Sequence, residues 1–503
     1  MLLWFVIIYW IISVGIGLYA ATRVHNTKDF AVAGRHLPFY MVTATVFATW
    51  FGSETVLGIP ATFLKEDLHG VVADPFGSSL CLILVGLFFA APLYRMNLLT
   101  IGDFYKKRFG RGVEVLTTLA IVLSYLGWVG AQISALGLVF NVVSGGDISV
   151  EAGMWIGSST ILIYTIFGGM WAVAITDLLQ MVIICIGMLY IGGSVSGMVG
   201  GVGAVVEHAA QAGKLSFWPA LDAKEIIAFV AAWITMMFGS IPQQDVFQRV
   251  QSAKTEKIAV WGSVLGGSLY FLFAFVPMFL AYSATLIDPN MVAELMGSDD
   301  AKASQLILPR LILRPEVPVF AQVMFFGALL SAIKSCASAT LLAPSVTFTE
   351  NIMKPMMRHM TDRKLLLSMR VVTLTFTILV TLYAMYSKAS IFKMVENAYQ
   401  VTLVSAFIPL ACGVYWRRAT NQGALVSIFL GISVWLSVLI ADDDPFIPAQ
   451  FAGLIASAVG MVVGSLARQF VHHDPHIHDQ LRHGHHAAAE THHIAEHPHH
   501  HAG

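Results

Sequence analysis

Residues Tyr40–Leu64 read YMVTATVFATWFGSETVLGIPATFL, and this stretch decides the fold. It is long and apolar enough to cross a membrane, but Gly52, Gly58 and Pro60 interrupt its helical pattern. It also carries the charged residue Glu54. An interruption at mid-membrane leaves backbone carbonyls free to bind a cation and turns helix ends towards a solute. The stretch therefore indicates a broken transmembrane helix.

A second interrupted stretch lies near the middle of the chain. Ala231–Arg249 reads AAWITMMFGSIPQQDVFQR, with Gly239, Ser240 and Pro242 near its end. The two stretches are the second and seventh candidate spans, five helices apart. Corresponding interruptions in two halves of a chain point to an inverted-repeat transporter. Ordinary kinks, which glycine and proline often cause, are the alternative interpretation.

Composition places the chain in a membrane. Of its 503 residues, 57% are hydrophobic and only 12% are charged, and the mean hydropathy is +0.73. Soluble domains carry about 25% charged residues. The net charge of −1 favours neither a nucleic-acid partner nor an acidic substrate. The sequence has no Walker loop and no HExxH zinc motif, so we predict neither enzymatic activity nor an organic cofactor.

Thirteen apolar runs are long enough to span a bilayer, and we interpret the first as a retained helix rather than a signal peptide. Basic loops alternate with acidic or neutral loops, which places the N-terminus outside and the C-terminus in the cytoplasm. We expect an all-α, multi-pass protein of the inner or plasma membrane, embedded in the lipid bilayer. The runs cover residues 2–22, 38–64, 71–95, 114–143, 153–171, 177–199, 224–243, 257–287, 316–350, 366–387, 395–416, 421–441 and 446–468.

The composition changes after residue 468. Thirteen of the eighteen histidines lie between His472 and His501, in a polar segment of low complexity. We expect a transmembrane domain over residues 1–468 and a disordered cytoplasmic tail over residues 469–503. Metal binding or pH sensing by the clustered imidazoles is the alternative. The histidine spacings are irregular, so we predict no defined metal site.

Several motifs resemble those of the solute:sodium symporter family. They are IYTIFGGMWAVAITDLLQ (Ile163–Gln180), IPQQDVFQR (Ile241–Arg249), YWRRATNQGA (Tyr415–Ala424) and the early DFAVAGRHLP (Asp29–Pro38). The resemblance covers residues 1–468. It implies a LeuT-like fold of two inverted five-helix repeats, with one extra N-terminal helix and two C-terminal ones. It also implies secondary transport by alternating access, commonly coupled to sodium.

Within this family the chain looks most similar to the choline-transporter branch. SSLCLILVGLFFAAPL (Ser78–Leu93) and ISALG (Ile133–Gly137) carry this likeness. That branch surrounds a quaternary ammonium with aromatic rings, whose faces attract cations. Trp50 and Trp128 match two of the cage positions. Packing against lipid or other helices is the alternative for these two residues.

The other half of the cage is polar in this chain. Gln243 and Ser78 stand where the resemblance leads us to expect Trp and Tyr, so we predict a small polar organic solute rather than choline. Glu54 and Gln132 are further candidates for the solute site. A hydrogen-bonded bridge between two helices is the equal alternative for Gln132. The remaining polar candidates, for an inner gate or the pore lining, are Gln244, Asp245, Tyr399 and Gln400.

The resemblance also implies a sodium site. Sodium prefers about five or six oxygen ligands, mostly carbonyls and hydroxyls. Asp177 matches a family aspartate near this site, with a helix N-cap as the alternative. Cys336 stands where the family has a hydroxyl, and a thiol is a poor ligand for a hard cation. The matched ion-binding positions are Ala48, Phe51, Ala332, Ser335, Cys336 and Asp177.

Lys334 is a charged residue in the middle of an apolar run, where a functional role is the first hypothesis. Three interpretations remain open. Its stem extends to an aqueous cavity, its ammonium replaces the sodium ion and pairs with Asp177 or Glu54, or it binds an anionic group of the solute. In the second case transport is independent of sodium or coupled to protons, because burial favours the neutral amine.

These features together predict a secondary active transporter that moves a small polar organic solute by alternating access, with sodium as the expected coupling ion. A sodium-independent or proton-coupled carrier is the first alternative, and Lys334 motivates it. A membrane nutrient sensor is the alternative from another class, because this fold also serves as the input domain of signalling proteins.

Overall fold

The structure, a computed structural model, describes residues 1–473, and the regular elements among them are helices. Most of the predicted histidine-rich tail, from residue 474 onwards, lies outside the described residues. The α-helices are α1 (Leu2–Ala20), α2 (Thr27–Val32), α3 (Phe39–Trp50), α4 (Ile59–Glu66), α5 (Ser78–Leu84), α6 (Ala90–Arg95), α7 (Ile101–Phe109), α8 (Arg111–Val143), α9 (Val150–Met198), α10 (Val202–Gln211), α11 (Ala223–Gly239), α12 (Gln244–Ser252), α13 (Glu256–Ile287), α14 (Pro289–Met296), α15 (Ile307–Ile312), α16 (Val319–Phe348), α17 (Lys354–Met356), α18 (Asp362–Tyr386), α19 (Ile391–Ser405), α20 (Phe407–Tyr415), α21 (Asn421–Ala441) and α22 (Ala449–Leu466).

Short turns of tighter or wider helix join or extend several of these elements. The 3-10 turns are Ala21–Arg23, Ala33–Arg35, Leu68–Val71 and Ala303–Leu306, and the π-helical turns are Glu54–Gly58, Val72–Gly77, Val85–Phe89 and Thr349–Met353. Within residues 1–473, one isolated parallel β-bridge pairs Leu37 with Ala253.

The membrane-spanning helices agree with an integral membrane protein. Within residues 1–473, nine helical stretches are long and apolar enough to span a bilayer, and two bent pairs raise the number to eleven. The pairs are α11 with α12, bent by 45°, and α19 with α20, bent by 48°. The predicted spans 153–171 and 177–199 both fall in α9, a stretch of 49 residues in which two helices meet at Gly169, whose φ of 50° and ψ of −138° are not helical. The count of thirteen and the orientation of the termini stay predictions.

The second predicted span is divided, as its glycines and proline indicate. Helix α3 ends at Trp50, and Phe51 leaves the helical region with φ −83° and ψ 79°. The π-helical turn Glu54–Gly58 then leads into α4. A Cβ atom added to Gly52 would lie 2.9 Å from the Cβ of Cys336 on α16, so the break brings the two backbones too close for a side chain.

The second interruption is also present, between α11 and α12. A Cβ atom on Gly239 would lie 2.6 Å from the carbonyl oxygen of Tyr399, so α11 needs glycine where it touches α19. Pro242, in the linker that follows, has no N–H to continue a helix. The chain resumes as α12 after a bend of 45°. Both interrupted stretches of the sequence are therefore interrupted helices.

Helix packing brings the two breaks together. Helix α3 contacts α12 and α16, and α12 also contacts α16. Helix α19 contacts α8 and the π-helical turn Glu54–Gly58. Helix α1 lies against α9 and α16, and α21 and α22 pair closely and contact α19. Polar side chains from several helices are consequently buried at one level of the fold, around the end of α3.

Candidate functional site

Three aromatic rings meet where α3 ends. The ring centroids of Trp50 and Trp128 are 5.3 Å apart, and that of Tyr399 lies 6.1 Å from Trp50 and 5.6 Å from Trp128. Tyr125 stacks on the other side of Trp128 at 6.1 Å. All four side chains are buried, so the alternative that the two tryptophans face lipid is wrong. We call these four residues the aromatic cluster.

Each indole N–H of the cluster donates to a buried carboxylate. Trp50 Nε1 donates to Asp245 Oδ2 at 3.2 Å, and Trp128 Nε1 donates to Glu54 Oε1 at 3.4 Å. The hydroxyl of Tyr125 also donates to Asp245. These bonds fix the orientation of the rings and place one carboxyl group beside each tryptophan.

Gln132 holds the interrupted segment against α8. Its Nε2 donates to Glu54 Oε2 at 2.6 Å, and its Oε1 accepts from the backbone N–H of Ser53 at 2.9 Å. The predicted candidates Glu54 and Gln132 are thus in direct contact. Gln132 therefore bridges two elements, as one of its interpretations predicts, and a hydrogen bond to the solute stays a prediction.

Ser78 belongs to a second carboxylate group. Its hydroxyl donates to Asp74, and the Tyr270 hydroxyl donates to the same Asp74 oxygen. Tyr270 also shares a hydrogen bond of 3.1 Å with Thr55 in the interrupted segment. The sequence analysis missed Asp74 and Tyr270. The signal that could have identified Asp74 is its position as a charged residue inside the apolar run 71–95.

Gln243 links α8 and α19 beside the cluster. Its Nε2 donates to the hydroxyls of Ser124 at 3.1 Å and Thr402 at 3.2 Å. Gln243 therefore lies near the rings as expected, and its amide is engaged by neighbouring hydroxyls in this conformation.

Three of the candidate sodium ligands are in contact. The Ser335 hydroxyl lies 2.7 Å from the carbonyl oxygen of Ala48 and 2.9 Å from that of Ala332. Phe51 and Cys336 flank this contact, because Phe51 begins the break and Cys336 faces Gly52. The helix break and α16 thus bring the predicted carbonyls and the hydroxyl to one place.

Asp177 is buried beside the same break. Its Oδ2 accepts from the Thr45 hydroxyl at 2.7 Å, one helical turn before Ala48. The N-cap interpretation is wrong, because Asp177 lies well inside α9, which runs from Val150 to Met198. An acidic group next to candidate cation ligands favours positive charge at this place.

Lys334 lies on another face of α16 and is fully buried. Its Nζ is 5.1 Å from the ring centroids of Trp10 and Tyr164, and 5.9 Å from that of Tyr9. Among the described residues the ammonium has no hydrogen-bond partner. In this conformation it pairs with neither Asp177 nor Glu54, has no exposed surface and is surrounded by rings of α1 and α9. The aqueous cavity and the pairing with Asp177 or Glu54 do not describe this position, and binding of an anionic group of the solute stays a prediction.

Known proteins match this chain over most of its length. The model of the sodium:solute symporter family matches residues 30–431. The high affinity choline transporter 1 of Homo sapiens is 26% identical over 466 residues, which is 88% of this chain and 77% of that protein. The osmoregulated proline transporter OpuE of Bacillus subtilis (strain 168) is 23% identical over 492 residues, 90% of this chain and 93% of that protein.

Solved structures share the fold. A Na+-coupled sialic acid symporter in a substrate-bound outward-open state superposes with a TM-score of 0.78 at 19% identity, over 92% of this chain and 97% of that chain. The transporter MhsT in complex with L-phenylalanine gives a TM-score of 0.56 at 14% identity, over 84% and 97%. The architecture is therefore the LeuT-like fold that the sequence predicts.

Proposed function

This chain belongs to the sodium:solute symporter family, and we propose that it couples uptake of a small polar organic solute to sodium bound at the break between α3 and α4. Membership makes it a multi-pass membrane protein and a secondary active symporter of small organic solutes rather than an enzyme. Sodium as the coupling ion and the location of both sites are the proposed parts.

The contact between Ser335 and Ala48 carries the proposal. A carbonyl at a helix break and a hydroxyl from a second helix, 2.7 Å apart, are the oxygen types that bind a hard cation. Asp177 adds a buried negative charge one turn away. Cys336 contributes a thiol instead of a hydroxyl, so we expect a lower sodium affinity than a site with two hydroxyls would have.

The aromatic cluster and its carboxylates are the proposed solute site. Trp50 and Trp128 offer ring faces, Glu54, Gln132 and Gln243 add hydrogen-bonding groups beside them, and Ser78 binds the second carboxylate, Asp74. Relatives are named as choline and proline transporters, so both solutes belong among those tested. Polar groups at two positions of an aromatic cage favour a solute with its own hydrogen-bonding groups.

Uptake into proteoliposomes tests the sodium coupling. Radiolabelled proline, choline and ethanolamine are offered with an inward sodium gradient, and again with potassium in place of sodium. We expect sodium, and not potassium, to stimulate uptake of the solute that the chain carries. Ser335→Ala should raise the sodium concentration for half-maximal uptake by about tenfold, because one oxygen ligand is worth about 1–3 kcal/mol. Ser345→Ala is the matched control, since its hydroxyl bonds within α16 at 2.8 Å to Leu341.

Uptake that is equal in sodium and potassium and rises at acidic outside pH would support the proton-coupled alternative instead. Lys334, adjacent to Ser335, is the residue that motivates this alternative. Lys334→Met separates the two mechanisms. If sodium stimulation of the native protein persists in this variant, the ammonium is not a substitute for the ion.

A further inference from the structure

Two buried carboxylates near the end of α3 have only neutral partners. Glu54 accepts from Gln132 and Trp128, and Asp74 accepts from Ser78 and Tyr270. The ion pairs found within residues 1–473 include neither carboxylate. Both side chains are at most 2% exposed. Burying a carboxylate is costly unless a positive charge accompanies it, so the arrangement suits a cationic ligand.

The rings next to Glu54 favour the same charge. The ring centroids of Trp50, Trp128 and Tyr399 lie within 6.1 Å of one another, and the electron-rich face of an aromatic ring attracts cations. Because the Trp128 N–H is bound to Glu54, the carboxylate lies at the edge of this ring. A cation placed between them gains both interactions.

Unpartnered polar groups point to a ligand independently of charge. Among the described residues, the Tyr399 hydroxyl and the Ser53 hydroxyl are buried and have no hydrogen-bond partner. The Tyr399 ring lies 6.1 Å from that of Trp50 and 5.6 Å from that of Trp128, the two rings whose N–H groups bind Asp245 and Glu54. Buried hydroxyls usually have partners, and a bound solute with hydrogen-bonding groups would supply them.

A cavity of about 420 Å³ lies between α4, the start of α11 and the start of α19. Its lining includes Ala73, the neighbour of Asp74, and the charged residues Glu66, Glu225, Glu396, Lys65 and Lys393. Acidic and basic groups are mixed in this cavity, so we assign the selection of charge to Glu54 and Asp74. The cavity is assigned no role in that selection.

We propose that the transported solute is an organic cation that carries N–H groups, a protonated amine, and that Glu54 is the residue that selects its charge. This rests on the proposed solute site. A carboxylate oxygen accepts more than one hydrogen bond, so Glu54 can receive N–H donors in addition to Gln132 and Trp128. Gln243 and Ser78 replace rings that would enclose methyl groups, which disfavours a quaternary ammonium.

Binding to the purified full chain in saturating sodium tests the proposal. Calorimetry compares ethanolamine and putrescine with the neutral ethylene glycol and 1,4-butanediol, the anion glycolate, and the quaternary choline. We expect both amines to bind at least tenfold more tightly than their neutral counterparts, and ethanolamine more tightly than choline. Glu54→Gln should weaken amine binding at least tenfold. Glu151→Gln, the same change on the exposed first turn of α9, should leave it unchanged.

A second variant keeps the inference testable if Glu54→Gln does not fold. Tyr399→Phe removes only an unpartnered hydroxyl, so its thermal transition without ligand should stay native while amine binding weakens severalfold. A diol that binds as tightly as its amine, choline that binds more tightly than ethanolamine, amines that do not bind, or a Glu54→Gln variant of native affinity would each overturn the inference. Amine binding that is equal in sodium and potassium would instead overturn the sodium proposal alone.

Discussion

The fold buries two kinds of ionisable group near α3 and α16, an acidic pair (Glu54 and Asp74) and a single lysine (Lys334). The carboxylates of Glu54 and Asp74 each accept two hydrogen bonds from neutral side chains. The ammonium of Lys334 has no hydrogen-bond partner among the described residues and contacts only the faces of rings, among them Trp10 and Tyr164. Both carboxylates of the acidic site accept hydrogen bonds, whereas the ammonium of the basic site makes none among the described residues.

The difference separates a ligand site from a packing site. The partners of Glu54 and Asp74 come from α8, α5 and α13, so the interrupted segment is tied to several helices through polar groups that a solute can also use. The partners of Lys334 come from α1 and α9. The family resemblance implies that α1 is the extra helix outside the inverted repeats. Lys334 therefore faces the packing of α1 and α9 against α16 rather than the proposed solute site.

Asp74→Ala should have the largest effect on stability. It removes the acceptor of the Ser78 and Tyr270 hydroxyls, and each buried hydroxyl left unsatisfied costs about 1–3 kcal/mol. We expect a clear fall in the midpoint of thermal unfolding of the purified protein. Asp299→Ala, in an exposed loop, is the control. A native midpoint for Asp74→Ala would show that the acidic site is not held by these hydrogen bonds.

Lys334→Met should act in the opposite direction. Methionine has a similar volume and needs no hydrogen bond, so the variant should be more stable by about 1–3 kcal/mol, the cost of an unsatisfied buried donor. Thermal unfolding measures it, with the exposed Lys388→Met for comparison. Destabilisation would mean that the ammonium has an anionic partner in another conformation, and the contrast between the two sites would fail.

Trp10→Phe should have a smaller effect. The smaller ring weakens a cation–π contact of 5.1 Å to Lys334, worth about 0.5–2 kcal/mol, and the Trp10 N–H has no partner among the described residues to lose. Trp4→Phe, at an exposed position of α1, is the matched control. The loss should largely disappear when Lys334→Met is already present. An equal loss in both backgrounds would assign it to packing alone.

Cys336→Ser should change stability least and sodium binding measurably. A hydroxyl in place of the thiol adds one oxygen ligand near Ala48 and Ser335, worth about 1 kcal/mol, or roughly fivefold in affinity. The sodium concentration for half-maximal uptake should fall accordingly. Cys185→Ser, half-buried on α9, should leave it unchanged. An unchanged value for Cys336→Ser would place the ion away from this residue.

The sequence predicted much of the fold because its signals are local. Membrane spans follow from runs of apolar residues, and the two helix breaks follow from glycine and proline at fixed positions. The sequence also indicates four candidates for the solute site, which are Trp50, Trp128, Glu54 and Gln132. Asp74 and Tyr270 are not among them, because their importance lies in partners on other helices and no local pattern records those partners.

The sequence by itself determined that this chain spans a membrane, that two of its helices are interrupted, and that it belongs with sodium:solute symporters. Only the tertiary structure decided which side each buried charge faces. Ser335 and Lys334 are neighbours, but adjacent residues of a helix point about 100° apart, so one meets the broken helix and the other meets the rings of α1 and α9. The helices that pack on each face, which are distant in sequence, determine what each side chain contacts.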